Sequence, residues 1–437
     1  MVTGERTAPR EMMNRPLRFC MITTFYPPYS FGGDAIYVHR LCNELANRGH
    51  EVDVIHCADS FHLFHQGASQ KAFPVSRGIT HHKLRSAFGP LSPLLSHQTG
   101  LPLLKTREIR RVLASKQFHV LHFHNISLFG PGVLALKPAY PVLKLYTVHD
   151  HWLVCPMSVL WKDRTRACDG PTCIRCAIRS HRPPQLWRHA GLLESCSKHV
   201  DRFLAPSRFC QEMHRRRGFH GRMEVLPEFV PLGPAVETSP AKALHERPYF
   251  LFVGRVERLK GVDEVLPHFA NDGPYDLLVV GTGTHEAELR KQAAGMRRVK
   301  FAGWVNQDEI HHYYRGALGV IVPSVTFETF GIVVIEALAH RVPVIVNDLG
   351  ALPEVVQETG GGLVYKTQAE LRGHLDRLAG DPELRETLAG RGQQAVREKY
   401  SPEAHLQLYE GVIRDAWREK FGAEGLGSPV MAEQASG

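Results

Sequence analysis

Val322-Pro-Ser-Val-Thr-Phe-Glu-Thr-Phe-Gly-Ile-Val-Val-Ile-Glu-Ala-Leu338 reads as the end of a strand, a loop, and a helix beginning near Gly331. Backbone amides at such a helix start have no partner inside the helix and can donate to an anionic or hydroxyl-rich ligand. Glu328 lies in the loop, and Glu336 follows more than a turn into the helix. A carboxylate only accepts hydrogen bonds, so a pair of them suits hydroxyl groups and vicinal diols. Two glutamates at that spacing are, by themselves, equally explained by a helix cap and an ion pair. The whole string carries the reading.

Working outward, the same pattern recurs. Strand 249–253 ends at Gly254-Arg255-Val-Glu-Arg-Leu-Lys260-Gly261, with helical sequence expected from about 261. Strand 276–280 ends at Gly281-Thr-Gly283, with a helix from about 285. Strand 299–301 leads to Gly303-Trp304-Val305, and strand 343–346 closes the series. Alternating strands and helices predict a doubly wound parallel sheet, whose ligands bind at the strand ends. The first half repeats the scheme. An apolar run at 17–22 is followed by Phe31-Gly32-Gly33, then by Tyr37, Leu41 and Leu45 at helical spacing, then by strand 51–56. Further strands are predicted at 120–123, 143–148 and 202–205.

The fold class is therefore α/β, two Rossmann-like domains facing across a cleft. Residues 1–16 read as a disordered lead, 17–235 as the first domain and 236–400 as the second. A proline-punctuated stretch near 230–245 forms the linker. Ser401-Pro402-Glu403 opens a final helix over 401–421, expected to return to the first domain. Residues 422–437 read as a flexible tail.

The chain has 437 residues and 43% hydrophobic content, enough for two cores. It contains no apolar run of spanning length and no secretory leader, so a cytoplasmic protein is expected. Net charge is +9. Residues 151–230 hold fourteen Lys or Arg against seven Asp or Glu. Such a surface suits phosphates or the inner face of a membrane, and equally a solvated face. No nucleic-acid motif accompanies it.

Arg255 and Lys260 flank a strand-end turn, where fixed cations can hold a diphosphate. Thr147-Val-His149-Asp150 ends another strand at the predicted cleft. Gly33 opens the first helix, where backbone can approach a ligand closely. Nine cysteines argue against a disulfide framework. Cys20, Cys42 and Cys57 read as core thiols. Cys155, Cys168, Cys173 and Cys176, the last two spaced Cys-x2-Cys, suggest a structural zinc ion or an iron–sulfur cluster in an insertion over 155–176; unligated thiols are the plainer alternative.

These motifs resemble glycosyltransferase family 4, retaining enzymes with the GT-B fold, over nearly the whole chain. The resemblance places the family's Glu-x7-Glu on Glu328 and Glu336, as groups that hold the donor and not as a nucleophile. It implies backbone amides around Phe330 and Gly331 at the donor sugar, and Arg255 and Lys260 at the donor diphosphate. Gly254, Gly283 and Gly33 then become donor contacts, Val305 sits beside the nucleotide base, and His149 is the functional histidine. The implied donor is a nucleoside-diphosphate sugar, UDP- or GDP-linked, with no catalytic divalent metal required. The acceptor is a hydroxyl compound, with a phosphorylated or lipid-linked one and peripheral membrane contact suggested by the basic middle region. A simple family pattern lacks the cysteine insertion, so acceptor recognition transfers least. Two other classes fit parts of the sequence: a nucleotide-sugar epimerase of similar architecture, and a metal- or redox-sensing binding protein with a silent sugar site. The intact glutamate pair and Arg255/Lys260 favour transfer.

Overall fold

A computed structural model describes residues 16–30, 32–64, 76–170, 172–232 and 245–422. Most of the expected lead, the centre of the linker, the tail beyond 422, and Phe31 lie outside these residues.

Two parallel sheets organise the chain. The first has seven strands in the spatial order Ile79–Leu84, Glu51–Cys57, Arg18–Ile22, Val120–Phe123, Leu143–Thr147, Arg202–Ala205 and Met223–Val225. The second has six, in the order Val299–Gly303, Asp276–Val280, Tyr249–Val253, Ala317–Val322, Val344–Asn347 and Gly362–Tyr365. A parallel strand needs a crossover to reach its partner, and the crossovers cover both faces. The period of two then divides each central strand between two cores. Cys20 and Ile22 face one cluster while Phe19 and Met21 face the other. In the second sheet Tyr249 and Leu251 separate from Phe250 and Phe252 in the same way. With both faces apolar, polar chemistry is left to the strand ends.

One expected helix is absent. After Gly261 the chain forms short 3-10 turns over Val262–Glu264 and Leu266–Phe269. Pro267 lacks the backbone donor that an α-helix would need there. The second domain otherwise follows the predicted alternation. The cysteine insertion contains a small antiparallel hairpin, Trp161–Lys162 with Arg166–Ala167, and the helix Cys173–Arg179.

The final helix, Pro402–Phe421, begins on Ser401, whose hydroxyl accepts from the Ala404 amide. Leu406, Tyr409, Ile413 and Trp417 form its apolar stripe and pack beside Phe19, Leu143 and Leu204 of the first sheet. Tyr409 also meets His122 at 2.8 Å (Oη to Nδ1), and Lys420 pairs with Asp201 at 2.7 Å. Ile413 is fully buried, whereas Leu408 is half exposed. Ile413→Ala is therefore expected to cost about 2–5 kcal/mol in urea denaturation, while Leu408→Ala stays within about 0.5 kcal/mol of the parent. Equal losses from the two would show that the stripe does not anchor this helix.

Candidate functional site

The loop 323–331 leaves the strand Ala317–Val322 and enters the helix Ile332–Ala339. Glu328 sits at its centre. Its Oε1 accepts from Lys260 Nζ at 2.7 Å and from Ser324 Oγ at 2.5 Å. Burial works to neutralise Glu328, but the Lys260 ammonium, the Ser324 hydroxyl and Arg255 hold its carboxyl below the usual range. Arg255 itself is exposed at the neighbouring strand end. Two glycines let three backbone segments converge here. A Cβ on Gly261 would lie 2.0 Å from the Pro323 carbonyl oxygen, and one on Gly350 would lie 2.6 Å from the Glu328 nitrogen. Both have positive φ, 72° and 71°, which glycine adopts without strain.

Glu336 lies in the helix and is already engaged. Arg40 Nη2, from the first domain, donates to its Oε1 at 2.9 Å, and the Tyr314 hydroxyl donates to Oε2 at 3.2 Å. Arg40 sits on the helix Gly33–Asn47, at whose start Gly33 faces Ile332 across the cleft. The two helix starts expected to meet the donor are thus opposed. Gly331 has φ 98° and caps the helix against Leu352. The Phe330 ring is buried and packs near Tyr400, so only its backbone is available to a ligand. Gly254 and Gly283 lie at adjoining strand ends, where Gly283 backs onto the Val256 carbonyl. Val305 packs on the second core beside the exposed Trp304.

His149 departs from its expected environment. Its ring is buried, with Nδ1 3.2 Å from Glu228 Oε1 and Nε2 3.0 Å from His124 Nδ1. Because the Glu228 carboxylate can only accept, Nδ1 donates to it, and Nε2 is paired with His124 Nδ1. Neither nitrogen is left for a donor. What His149 gives the cleft is its carbonyl, which accepts from Thr329 Oγ1 at 2.9 Å. Burial pushes the neighbouring Asp150 carboxyl up to about 6, although the Trp152 amide donates to it.

Other contacts, absent from the sequence reading, hold the same loop. His151 Nε2 donates to the Phe327 carbonyl at 3.1 Å, and Ser207 Oγ donates to the Thr329 carbonyl at 2.6 Å. Glu354 accepts from the amides of Arg208 and Phe209 across the domain boundary, each at 2.8 Å. Arg40 carried one usable signal: it lies two turns beyond Gly33 on the same helix.

Two groups have metal-ligand chemistry. Cys155, Cys168, Cys173 and Cys176 all line one cavity of about 20 Å³. Cys176 Sγ accepts from the Asp163 amide at 3.3 Å, and Arg217 Nη1 lies 3.6 Å from Cys168 Sγ. Among the described residues, however, the group of three ligand atoms that all lie within 4.8 Å of one another belongs to His151, Cys210 and His214. Burial pushes those imidazoles down to about 3 and about 4, so both are neutral.

Both halves of the chain are similar to known proteins. The family described as Glycosyltransferase Family 4 matches residues 31–233, and that described as Glycosyl transferases group 1 matches residues 237–395. A D-inositol 3-phosphate glycosyltransferase of Acidothermus cellulolyticus is 27% identical over 93% of this chain and 92% of its own. Among solved structures, a sucrose-phosphate synthase from Thermosynechococcus elongatus superposes with TM-score 0.69 at 21% identity, covering 92% of this chain and all of that one. Anabaena HepE in complex with UDP and glucose gives 0.65 at 16% identity, over 91% and 99%. With two parallel-sheet domains opposed at their strand ends and both halves matched, the chain belongs to glycosyltransferase family 4 and has the GT-B fold.

Proposed function

We propose that the cleft binds a UDP- or GDP-sugar and transfers the sugar, with retention, to a hydroxyl acceptor. The observation that carries this reading is the pairing of Glu328 with Lys260 and Ser324 beside Arg255, at strand ends that face the first helix. In the proposed mechanism Lys260 and Arg255 stabilise the charge growing on the diphosphate as the anomeric carbon–oxygen bond breaks. The acceptor oxygen attacks from the same face, and its proton passes to the departing phosphate oxygen. Glu328 orients Lys260 and accepts from the sugar hydroxyls. The backbone of Gly254, Gly283, Gly33, Phe330 and Gly331 lines the diphosphate and sugar, and Val305 backs the base. Glu336 holds the ribose diol, with Arg40 yielding its hydrogen bonds to the donor. His149 acts as a positioning residue through its carbonyl and Thr329. A phosphorylated or lipid-linked acceptor is consistent with the basic middle region and with the phosphorylated inositol in the name of the Acidothermus relative.

The four loop cysteines are assigned a structural metal, zinc ahead of iron–sulfur. Convergence on one small cavity and the amide donated to Cys176 suit thiolate ligation. The metal would cross-link a segment with little core of its own.

Ligands that bind only the folded state raise its melting temperature. UDP or GDP, with its sugar conjugates, should do so for the parent protein; absence of protection by either would remove the donor assignment. Lys260→Met should lower kcat/KM by about 10²–10³. It should also raise the Glu328 carboxyl pKa. A carboxylate held low contributes stability above its unfolded pKa and loses it as pH falls through the native one. The parent should therefore keep this contribution into more acidic solution than the variant, as pH-dependent melting would record; coincident acid limbs would show that Lys260 does not hold Glu328. For the cysteine loop, anaerobically purified protein should carry one equivalent of zinc that is lost in Cys173→Ser. Metal far below stoichiometry in well-folded protein would leave the thiols unligated.

A further inference from the structure

A second cavity, of about 540 Å³, lies in the first domain away from the glutamate pair. That volume is within the range of small-molecule sites. Leu153, Ile174, Ala177, Leu193, Val200 and Phe219 give it apolar walls, while Arg188, Lys198, Arg217 and Arg222 bring cations and Glu194 the one acid. None of Glu328, Glu336, Arg255 and Lys260 lines it.

Arg188 is the unusual member. Its guanidinium lies over the rings of Trp152 and Trp187, at 4.8 and 4.7 Å from their centroids. Nε donates to Gln185 Oε1 at 2.6 Å. Nη2 is shut off from solvent with no acceptor, as is Nε2 of the buried Gln185. Arg188 is one of the residues that line the cavity. Among the described residues no carboxylate lies within ion-pair distance of Arg188, although the Cys155 and Cys173 thiols and Asp150 act on its charge from farther off. A half-buried cation between two indole rings, with no carboxylate in contact, gains from an acceptor beside it. An acceptor-only anion supplies what is missing, and the apolar walls call for hydrocarbon beside it.

The surroundings indicate where such a molecule comes from. Ile174 and Ile178, one turn apart, are 45% and 60% exposed, and Leu186 is 67% exposed. Trp187 Nε1 donates to the His97 carbonyl at 2.8 Å, fastening this segment to the helix Leu91–Thr99. That helix exposes Leu91, Leu94 and Leu95, spaced for one face. Neither 85–107 nor 170–193 contains an acidic residue, and the latter holds Arg175, Arg179, Arg182 and Arg188. Arg179 is paired with Asp163 at 2.8 Å; exposed leucine and isoleucine beside the remaining arginines suit the interface of an anionic bilayer.

We propose that this cavity is a binding site for an anionic amphiphile, one phosphate or carboxylate on a hydrocarbon body, drawn from a membrane face and held at its anion by Arg188. The site is independent of the donor reading. Geranyl phosphate is the probe, titrated calorimetrically into the full chain, with geraniol and inorganic phosphate titrated separately. The joined molecule should bind at least about tenfold more tightly than either part. Arg188→Gln and, at the exposed mouth, Ile174→Glu should each weaken it by about tenfold or more. Ile174→Glu should do so with the melting temperature and UDP protection of the parent. Inorganic phosphate matching geranyl phosphate would reduce the cavity to an anion site, and geraniol matching it would reduce it to an apolar one; either overturns the proposal, as does parental affinity in both variants. In sedimentation, the chain should follow vesicles of phosphatidylcholine with phosphatidylglycerol more than phosphatidylcholine alone, and Leu94→Glu should release it. Indifference to both changes would reject the membrane source.

Discussion

The loop Phe327-Glu-Thr-Phe330 is held from both domains at once, and the cleft depends on that constraint. Lys260 and Ser324 fix the Glu328 carboxylate from its own domain. From the other, His151 holds the Phe327 carbonyl, Ser207 holds the Thr329 carbonyl, and His149 accepts from the Thr329 hydroxyl. The Glu328 carbonyl is taken by the Ala351 amide at 3.0 Å. A loop satisfied this fully has little freedom to wander, so the carboxylate is presented in one place. Movement of one domain against the other must break these bonds together, which couples cleft opening to the geometry of this loop.

Behind the cleft lies a buried chain of polar rings. Tyr409 of the final helix meets His122, whose other nitrogen meets Thr147 at 2.8 Å. The His124 ring lies 4.1 Å from that of His122, tilted against it, and bonds to His149, which ends on Glu228. His405 of the same helix bonds Tyr37 at 3.0 Å and the Pro227 carbonyl at 2.7 Å. The first helix, two strand ends, the approach to the linker and the final helix therefore share one network. Burial drives His122 and His124 well below their usual pKa, so these rings act as neutral hydrogen-bonding groups. Networks of this kind fix one arrangement because each unsatisfied member is costly.

Much of the cluster around Glu328 was legible in the chain. Strands bounded by Gly, Pro or Ser announced themselves because a strand buried on both faces is a short apolar run. Glu328, Lys260 and Arg255 were legible because their spacing surrounds turns at strand ends. His149 was found by position, but its ring faces inward, and strand-end location does not say which way a ring turns. Arg40 and Ser324 were missed since each acquires meaning only from the carboxylate it meets. The helix expected after Gly261 failed at Pro267, where the missing donor outweighed the apolar pattern.

By itself the sequence determined the α/β alternation, the two domains and the residue types in the loop around Glu328. Those properties are local: the period of side chains along a strand or helix, and the residues that end each one. Only the tertiary structure decided that Glu336 is paired with Arg40, that His149 spends both ring nitrogens on Glu228 and His124, and that Arg188 lies between the rings of Trp152 and Trp187. These depend on which distant segments meet, with 296 residues separating Arg40 from Glu336. A pattern confined to neighbours along the chain carries no record of such a meeting.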